Sequence, residues 1–378
     1  MRVLQLINDA RYGSSTMARQ LSVALARLGV EVTLRCFQGA DVMPLPGVKV
    51  HPVHLPPSPL AGPLKPLGRL LQVSEVARQL QAHRYDLLHC HDLFSGFYGW
   101  NAARRAGVPL VATLHGEIGY PWSIRVYEAL YRQLCARFDG VVTPSRDQAA
   151  RLRRWISPVK LGWIPNGIDL VEWQRLVRAA SDLRAELGLA QSAFTVGMIG
   201  RLSPEKGQSL ILRALADPLL AKAHSLQLLI AGEGPTESRL RSQVARLGLE
   251  RRVRFLGYCR QMPRLYRTLD LLALPSYREA SPMVILEALA AGVPVVSTPA
   301  GEAPYMLEGE GGRVVPPGRA DLLAEAIKGL MEQPDLCKRM VAQGLERARS
   351  YDSAALAHRY LEELYRPAMA RAAAKERV

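Results

Sequence analysis

Short apolar runs and longer runs of helical period alternate along most of the chain. The first series comprises VLQLI (3–7), EVTLRC (31–36), DLLHCH (86–91), LVATLH (110–115) and GVVTP (140–144). After a polar, helical stretch at 170–190 the pattern restarts with FTVGMIG (194–200), LQLLIAG (226–232), VRFLG (253–257), DLLALP (270–275) and VPVVST (293–298). Segments of helical period such as TMARQLSVALARLG lie between them. Near-continuous Val, Ile and Leu runs are what strands buried on both faces look like, and the helices between them are the crossovers that parallel pairing requires. The pattern predicts two open α/β units joined near PNGID (165–169). We place the N-terminal domain at 1–165 and the C-terminal domain at 166–352, with 353–378 as a last helix expected to pack back towards the N-terminal domain. The Pro-rich HLPPSPLAGPLKPLG (54–68) interrupts the pattern and is longer than a compact domain usually allows, which marks it as a candidate functional loop.

Composition narrows the class. A length of 378 residues suits about two domains, and 48% hydrophobic content is enough for sizeable cores. No apolar run approaches the roughly 18 residues that a spanning helix needs, and MRVLQLINDARYG reads as a strand and a loop rather than a secretory leader. The five cysteines, Cys36, Cys90, Cys135, Cys259 and Cys337, are scattered and form no C-x-x-C pair, as expected for reduced thiols of a cytoplasmic protein. Charge is uneven: 20 Lys+Arg against 10 Asp+Glu over 1–165, and 29 against 24 over 166–378, for a net +15. The excess on the first half suggests a polyanionic partner. Nucleic acid is not expected, because no recognised module or basic-aromatic platform appears. The anionic membrane surface or a charged substrate remains.

The chemistry concentrates in YREASPMVILEALAAGVPVVST (277–298). A helix is predicted from Pro282, with Ser281 as its N-cap, to about Ala291, where Gly292 and Pro294 end it. Glu279 sits in the loop after a strand, at the carboxyl edge where open parallel sheets bind ligands. Glu287 is a lone carboxylate in an otherwise apolar helix and must be paired or hydrogen-bonded. Its side chain leans towards the helix N-terminus, about 7.5 Å along the axis from Pro282 at ~1.5 Å per residue. Two carboxylates beside a helix N-terminus suit a ligand with both phosphate and sugar hydroxyls. Arg201 and Lys206, in GRLSPEKG (200–207) after FTVGMI, supply cations at the same edge.

These residues carry a resemblance. GRLSPEKG, LIAGEGP (229–235), VRFLGY (253–258) and the E-x7-E of Glu279 and Glu287 resemble family-four retaining glycosyltransferases of the GT-B fold, and IPNGID (164–169) and VATLHG (111–116) fit too. The resemblance implies two Rossmann-like domains facing across a cleft, the C-terminal one holding a nucleotide-sugar donor. It implies a diphosphate clamp of Arg201 and Lys206, ribose contacts from Glu287, and Glu279 near the reacting carbon of the transferred sugar. It further implies that backbone amides of Met283 and Val284 meet phosphate or sugar oxygens, that Gly257 and Tyr258 lie by the base, and that His115 lines the sugar and acceptor site. In the first loop, YGSST (12–16), only Gly13 matches the family's Gly-Gly pair. GEAPY (301–305) keeps Gly301 and Pro304 but has Glu302 and Tyr305 at the other positions, and no role is assigned there.

His89, His91, Cys90 and Asp92 superficially resemble metal ligands, but no second ligand cluster completes a site. Neither a metal nor another cofactor is expected, since no Asp-x-Asp motif presents a divalent ion. YPWSIRVYEALYRQLCARF (120–138) mixes aromatic and basic residues on what is mostly a core face. With Lys65 of the Pro-rich loop and Arg69 just after it, its start is a candidate membrane or acceptor contact. The sequence therefore predicts a cytoplasmic, membrane-peripheral glycosyltransferase acting on a lipid-linked or envelope-polysaccharide acceptor. The alternatives are a small soluble acceptor, or a non-catalytic nucleotide-sugar-binding protein of the same fold.

Overall fold

A computed structural model describes residues 1–9, 13–38, 44–52, 74–116 and 122–376. Two compact units make up the chain: Met1–Gly167 together with Ser353–Val378, and Ile168–Asp352. The first contains β1 (Arg2–Asp9), β2 (Glu31–Gln38), β3 (Val48–Pro52), β4 (Leu87–Cys90), β5 (Leu110–Thr113), β6 (Gly140–Thr143) and β7 (Leu161–Trp163). They form a seven-stranded sheet in the order β3-β2-β1-β4-β5-β6-β7, and every pairing is parallel. Strand order reverses between β1 and β4, so the loops that leave these two strands diverge and open a crevice at their carboxyl ends. The edge strands β3 and β7 are absent from the sequence reading. VKVHP alternates apolar and polar residues over five positions, and LGW is three residues long.

The last helices belong to this first unit. Ser353–Arg359 continues through a π-helical stretch, Tyr360–Tyr365, into Arg366–Glu376. The π stretch buries Tyr360 and Tyr365 completely, in a cluster with Val3, Leu87, Val111 and Val142 of the sheet. Their hydroxyls find partners there, Tyr365 Oη with His89 Nδ1 at 2.8 Å and Tyr360 Oη with Thr113 Oγ1 at 3.3 Å. A buried phenol without such a partner would be costly, which ties the π register to the polar ends of β4 and β5.

The second unit carries β8 (Phe194–Ile199), β9 (Leu226–Ala231), β10 (Val253–Gly257), β11 (Leu271–Leu274), β12 (Val295–Ser297) and β13 (Arg313–Val314). Their order is β10-β9-β8-β11-β12-β13, again all parallel. β13 is only two residues long and carries no periodic signal. β8, β9, β11 and β12 are buried on both faces, one set of side chains against Leu210, Ile211 and Leu323, the other against Leu265, Ile285 and Leu286. Each fully buried side chain of this size contributes roughly 1.5–3 kcal/mol of transfer free energy. The switch point here lies between β8 and β11, the two strands whose following loops carry Arg201, Lys206 and Glu279.

Candidate active site

Close packing of backbone fixes the loops around the second switch point. The stretch after β8 turns through a short 3-10 helix, Pro204–Lys206, and reaches helix Gln208–Leu215 through Gly207. Gly207 has φ +73°, and a Cβ there would lie 2.0 Å from the carbonyl oxygen of Pro275, in the loop after β11. Only glycine satisfies both conditions. On the other side, a Cβ on Gly301 (φ +57°) would meet the carbonyl oxygens of Ala280 at 2.3 Å and Glu279 at 2.5 Å. The backbone N–H of Glu302 donates to the Ala280 carbonyl at 2.8 Å, and that of Tyr277 to Glu205 at 2.7 Å. The Glu279 loop is thus held between its two neighbours. Gly301 acquires a packing reason that its sequence context does not supply.

Within this frame Lys206 and Glu279 meet. Lys206 Nζ donates to both carboxylate oxygens of Glu279 at 2.8 Å, and Ser276 Oγ donates to Glu279 Oε1 at 2.8 Å. The side chain of Glu279 is 9% exposed and that of Lys206 is 25% exposed. Arg201 differs. Its carbonyl accepts from Gln208 Nε2 at 2.8 Å, while its exposed guanidinium has no partner among the described residues.

Helix Met283–Ala291 begins one residue later than predicted. Pro282 occupies the cap position, with extended backbone and no side-chain hydrogen bond to the first turn, so Ser281 is not the N-cap. Proline has no hydroxyl or carboxylate to offer, and the amides of Met283 and Val284 are left without a side-chain cap. Glu287 is buried in this helix. One carboxylate oxygen accepts from Tyr266 Oη at 2.8 Å, and the Glu287 carbonyl accepts from Trp173 Nε1 at 2.9 Å. Burial raises its carboxyl to about 7, with the Tyr266 hydrogen bond opposing the rise. Gly257 ends β10 with φ +63° and its carbonyl accepts from Gly232 at 2.7 Å, while the ring of Tyr258 is 50% exposed. Arg201, Lys206, Glu279, Met283, Val284, Glu287, Gly257 and Tyr258 all lie in the second unit, on its carboxyl-edge loops or on helix Met283–Ala291. Ser276 and Tyr266 hold the carboxylates in place, Trp173 holds the Glu287 backbone, and none of the three was anticipated.

The first unit holds His115 and Gly13. Gly13 opens helix Gly13–Arg27 after β1, but Tyr12 before it lies outside the described residues, as do Lys65, Arg69, the Pro-rich loop 54–68 and Tyr120. His115 follows β5 at the end of a row of histidines. His89 and His91 project from one face of the same strand end with ring centroids 3.9 Å apart, and the rings of His91 and His115 stack at 5.7 Å. His91 Nδ1 approaches His115 Nε2 at 3.4 Å, and His91 Nε2 meets Gln5 Oε1 at 2.9 Å. His89 bridges Tyr365 and Thr113 through its two nitrogens, each at 2.8 Å. Burial lowers His115 to about 4 and pushes His89 and His91 well below their ordinary value, so all three are neutral near pH 7. Both nitrogens of His89 and of His91 are engaged, and no set of three His, Cys, Asp or Glu among the described residues is arranged to hold a metal. Asp92 instead caps helix Leu93–Ala106, accepting from Ser95 at 2.8 Å, and ties it to β1 through the backbone N–H of Asn8 at 2.6 Å.

Comparison with known proteins fits this geometry. Residues 180–347 match the family model described as glycosyl transferases group 1, and residues 12–172 match that of glycosyltransferase family 4. A D-inositol 3-phosphate glycosyltransferase of Segniliparus rotundus is 30% identical over 94% of this chain and 85% of its own length. The enzyme of that name from Nocardia farcinica is 30% identical over 93% and 84%. Among solved structures, HepE of Anabaena in complex with UDP-glucose superposes with a TM-score of 0.78 at 25% identity, covering 96% of this chain and 98% of that one. Sucrose-phosphate synthase of Thermosynechococcus elongatus shares the fold, with a TM-score of 0.79 at 23% identity over 98% and 100% of the two chains. With both family models, near-full-length relatives and two parallel Rossmann-like sheets in agreement, the chain belongs to the family-four glycosyltransferases of the GT-B fold.

Proposed function

We propose that this glycosyltransferase takes its sugar from a nucleoside-diphosphate donor and transfers it with retention of anomeric configuration to a lipid-linked or cell-envelope polysaccharide acceptor. One observation carries the donor half: Arg201, Lys206 and Glu279 sit on loops at one sheet switch point, beside an uncapped helix N-terminus and the buried Glu287. Arg201, Lys206 and the amides of Met283 and Val284 would stabilise charge on the departing diphosphate as it develops. Glu287 would accept from the ribose hydroxyls, Gly257 and Tyr258 would border the base, and Glu279 would face the transferred sugar. The bond from the anomeric carbon to the diphosphate breaks, and a bond to the acceptor oxygen forms on the same face. The acceptor proton passes to the departing phosphate. These cations are side chains, so no divalent ion is required. The UDP-glucose complex of HepE supports UDP as the first nucleotide to try.

For the acceptor, charge is the guide. Unit one carries 25 Lys+Arg against 13 Asp+Glu. On its surface Arg104 and Arg137 lie over Trp100 at 5.0 and 5.9 Å, and Arg132 and Arg154 over Trp155 at 5.2 and 3.8 Å. Val126, Leu130 and Val159 are exposed in the same unit. Tryptophans flanked by arginines, and exposed apolar side chains on the same unit, suit an anionic leaflet, where each basic residue contributes roughly 1 kcal/mol. No helix among the described residues is long and apolar enough to cross a membrane, so the contact would be peripheral. A second reading, a small phosphorylated acceptor, is favoured by the name of the 30% identical relatives. Vesicle co-sedimentation separates the two. Binding to anionic vesicles that fades as salt rises fits the first reading. No binding at low salt, with full turnover on D-inositol 3-phosphate, establishes the second.

A further inference from the structure

The two cations at the switch point are in different states. Arg201 faces solvent with no partner among the described residues, whereas Lys206 is already engaged by both oxygens of Glu279 at 2.8 Å. Ser276 holds the same carboxylate, so the pair is mutually oriented rather than a chance surface contact. With one side chain 9% and the other 25% exposed, water screens the pair only partly. A diphosphate brought to Lys206 would approach a carboxylate bonded to the same ammonium, and like charges a few ångströms apart repel strongly in such a setting. Glu279 and a phosphate therefore compete for one lysine.

We propose that Glu279 is an internal competitor for Lys206, displaced by the complete nucleotide-sugar and returning to the lysine to help expel the nucleoside diphosphate after transfer. The inference rests on the donor reading above. When a nucleotide-sugar binds, the displaced carboxylate turns to the sugar hydroxyls, good hydrogen-bond donors that compensate for the lost ion pair. A nucleoside diphosphate alone offers no such hydroxyls beside Glu279, so it must break the pair without compensation. The carboxylate is tethered beside the lysine, which gives it a high effective concentration against a departing product. Discrimination between donor and product then resides in the Lys206–Glu279 pair, and product release becomes faster than the two cations alone would permit.

Calorimetric titration of the full chain with UDP and with UDP-glucose tests this. Relative to wild type, Glu279→Gln should bind UDP about five- to tenfold more tightly, since it removes the competing charge, while turnover falls and product inhibition by UDP strengthens. The ratio of UDP to UDP-glucose dissociation constants should collapse towards one. Glu279→Asp keeps the charge but withdraws it from Lys206, and it too should tighten UDP. If simple repulsion operated without pairing, Asp would leave UDP affinity at the wild-type value. In a Lys206→Ala background the tightening by Glu279→Gln should shrink, because no lysine remains to be released. Unchanged or weaker UDP binding in both Glu279 variants, each folded by circular dichroism, overturns the inference and leaves the donor reading intact. If wild type binds neither UDP, GDP nor ADP, with or without a sugar attached, the donor reading itself fails and the inference with it.

Discussion

Glu287 should destabilise the ligand-free protein at neutral and alkaline pH, and Glu287→Gln should therefore raise its stability while abolishing donor recognition. The carboxylate is buried and accepts a hydrogen bond from Tyr266, and its carboxyl is raised from 4.5 to about 7 by burial. Other groups near it do little to offset this: Trp173 contributes a neutral N–H to the backbone, and Cys259, beside Tyr266, is partly buried with its thiol raised. In the unfolded chain the carboxyl loses its proton near its ordinary value. Between about 4.5 and 7 the native state binds more protons, so stability falls as pH rises through this window and levels off above it. Each tenfold in proton affinity is worth about 1.4 kcal/mol, so the full penalty is about 3 kcal/mol. Glutamine keeps an oxygen for Tyr266 but brings an amide whose donors need partners, which takes back about 1–2 kcal/mol. The net gain of about 1–2 kcal/mol corresponds to a rise in Tm of about 2–8 °C at pH 8 for a unit of this size. Thermal melts of the ligand-free protein at pH 8 and pH 5 supply the readout. The advantage should be present at pH 8 and largely gone at pH 5, and UDP-glucose should stabilise wild type but not the variant. A Gln variant less stable than wild type at pH 8, or equally altered at both pH values, would refute the reasoning.

Two other outcomes follow from the same site. Arg201→Ala and Lys206→Ala should each weaken UDP binding about tenfold or more, the loss expected for a charge-assisted contact. Lys206→Ala removes the phosphate contact and the partner of Glu279 together, and wild-type kinetics from either variant would remove that residue from the clamp. Transfer should survive exhaustive chelation with EDTA, and a loss restored specifically by manganese or magnesium would show that a divalent ion shares the diphosphate.

The strands of both sheets are readable in the sequence where they are central. β8, β9 and β11 are buried on both faces and so appear as unbroken apolar runs, whereas β3, β7 and β13 lie at or near sheet edges with too few buried positions to leave a pattern. The C-terminal segment shows a related effect. Its fit to the first unit depends on Tyr360 and Tyr365 reaching Thr113 and His89, 247 and 276 residues away in sequence, and no local spacing reports that.

The site divides along the same line. A single glutamate in MVILEALAA is conspicuous because a buried carboxylate must find a donor, so the requirement for a partner is visible locally. The partner's identity is not: Tyr266 is 21 residues upstream, in helix Met262–Thr268, where its ring reads as ordinary core. Gly301 is similarly opaque, because the need for glycine arises from carbonyls of Glu279 and Ala280 on a different loop. Lys206 and Glu279 are both conspicuous singly, yet the bond between them spans 73 residues and changes what each can do. Sequence names charged groups by type and strand end, and from that a diphosphate clamp with two free cations is the natural expectation. Folding neutralises one of the two with the carboxylate that the sugar is expected to meet. The charge available to an incoming phosphate is therefore a property of the packed loops, set by Gly207 and Gly301, rather than of the basic residues alone.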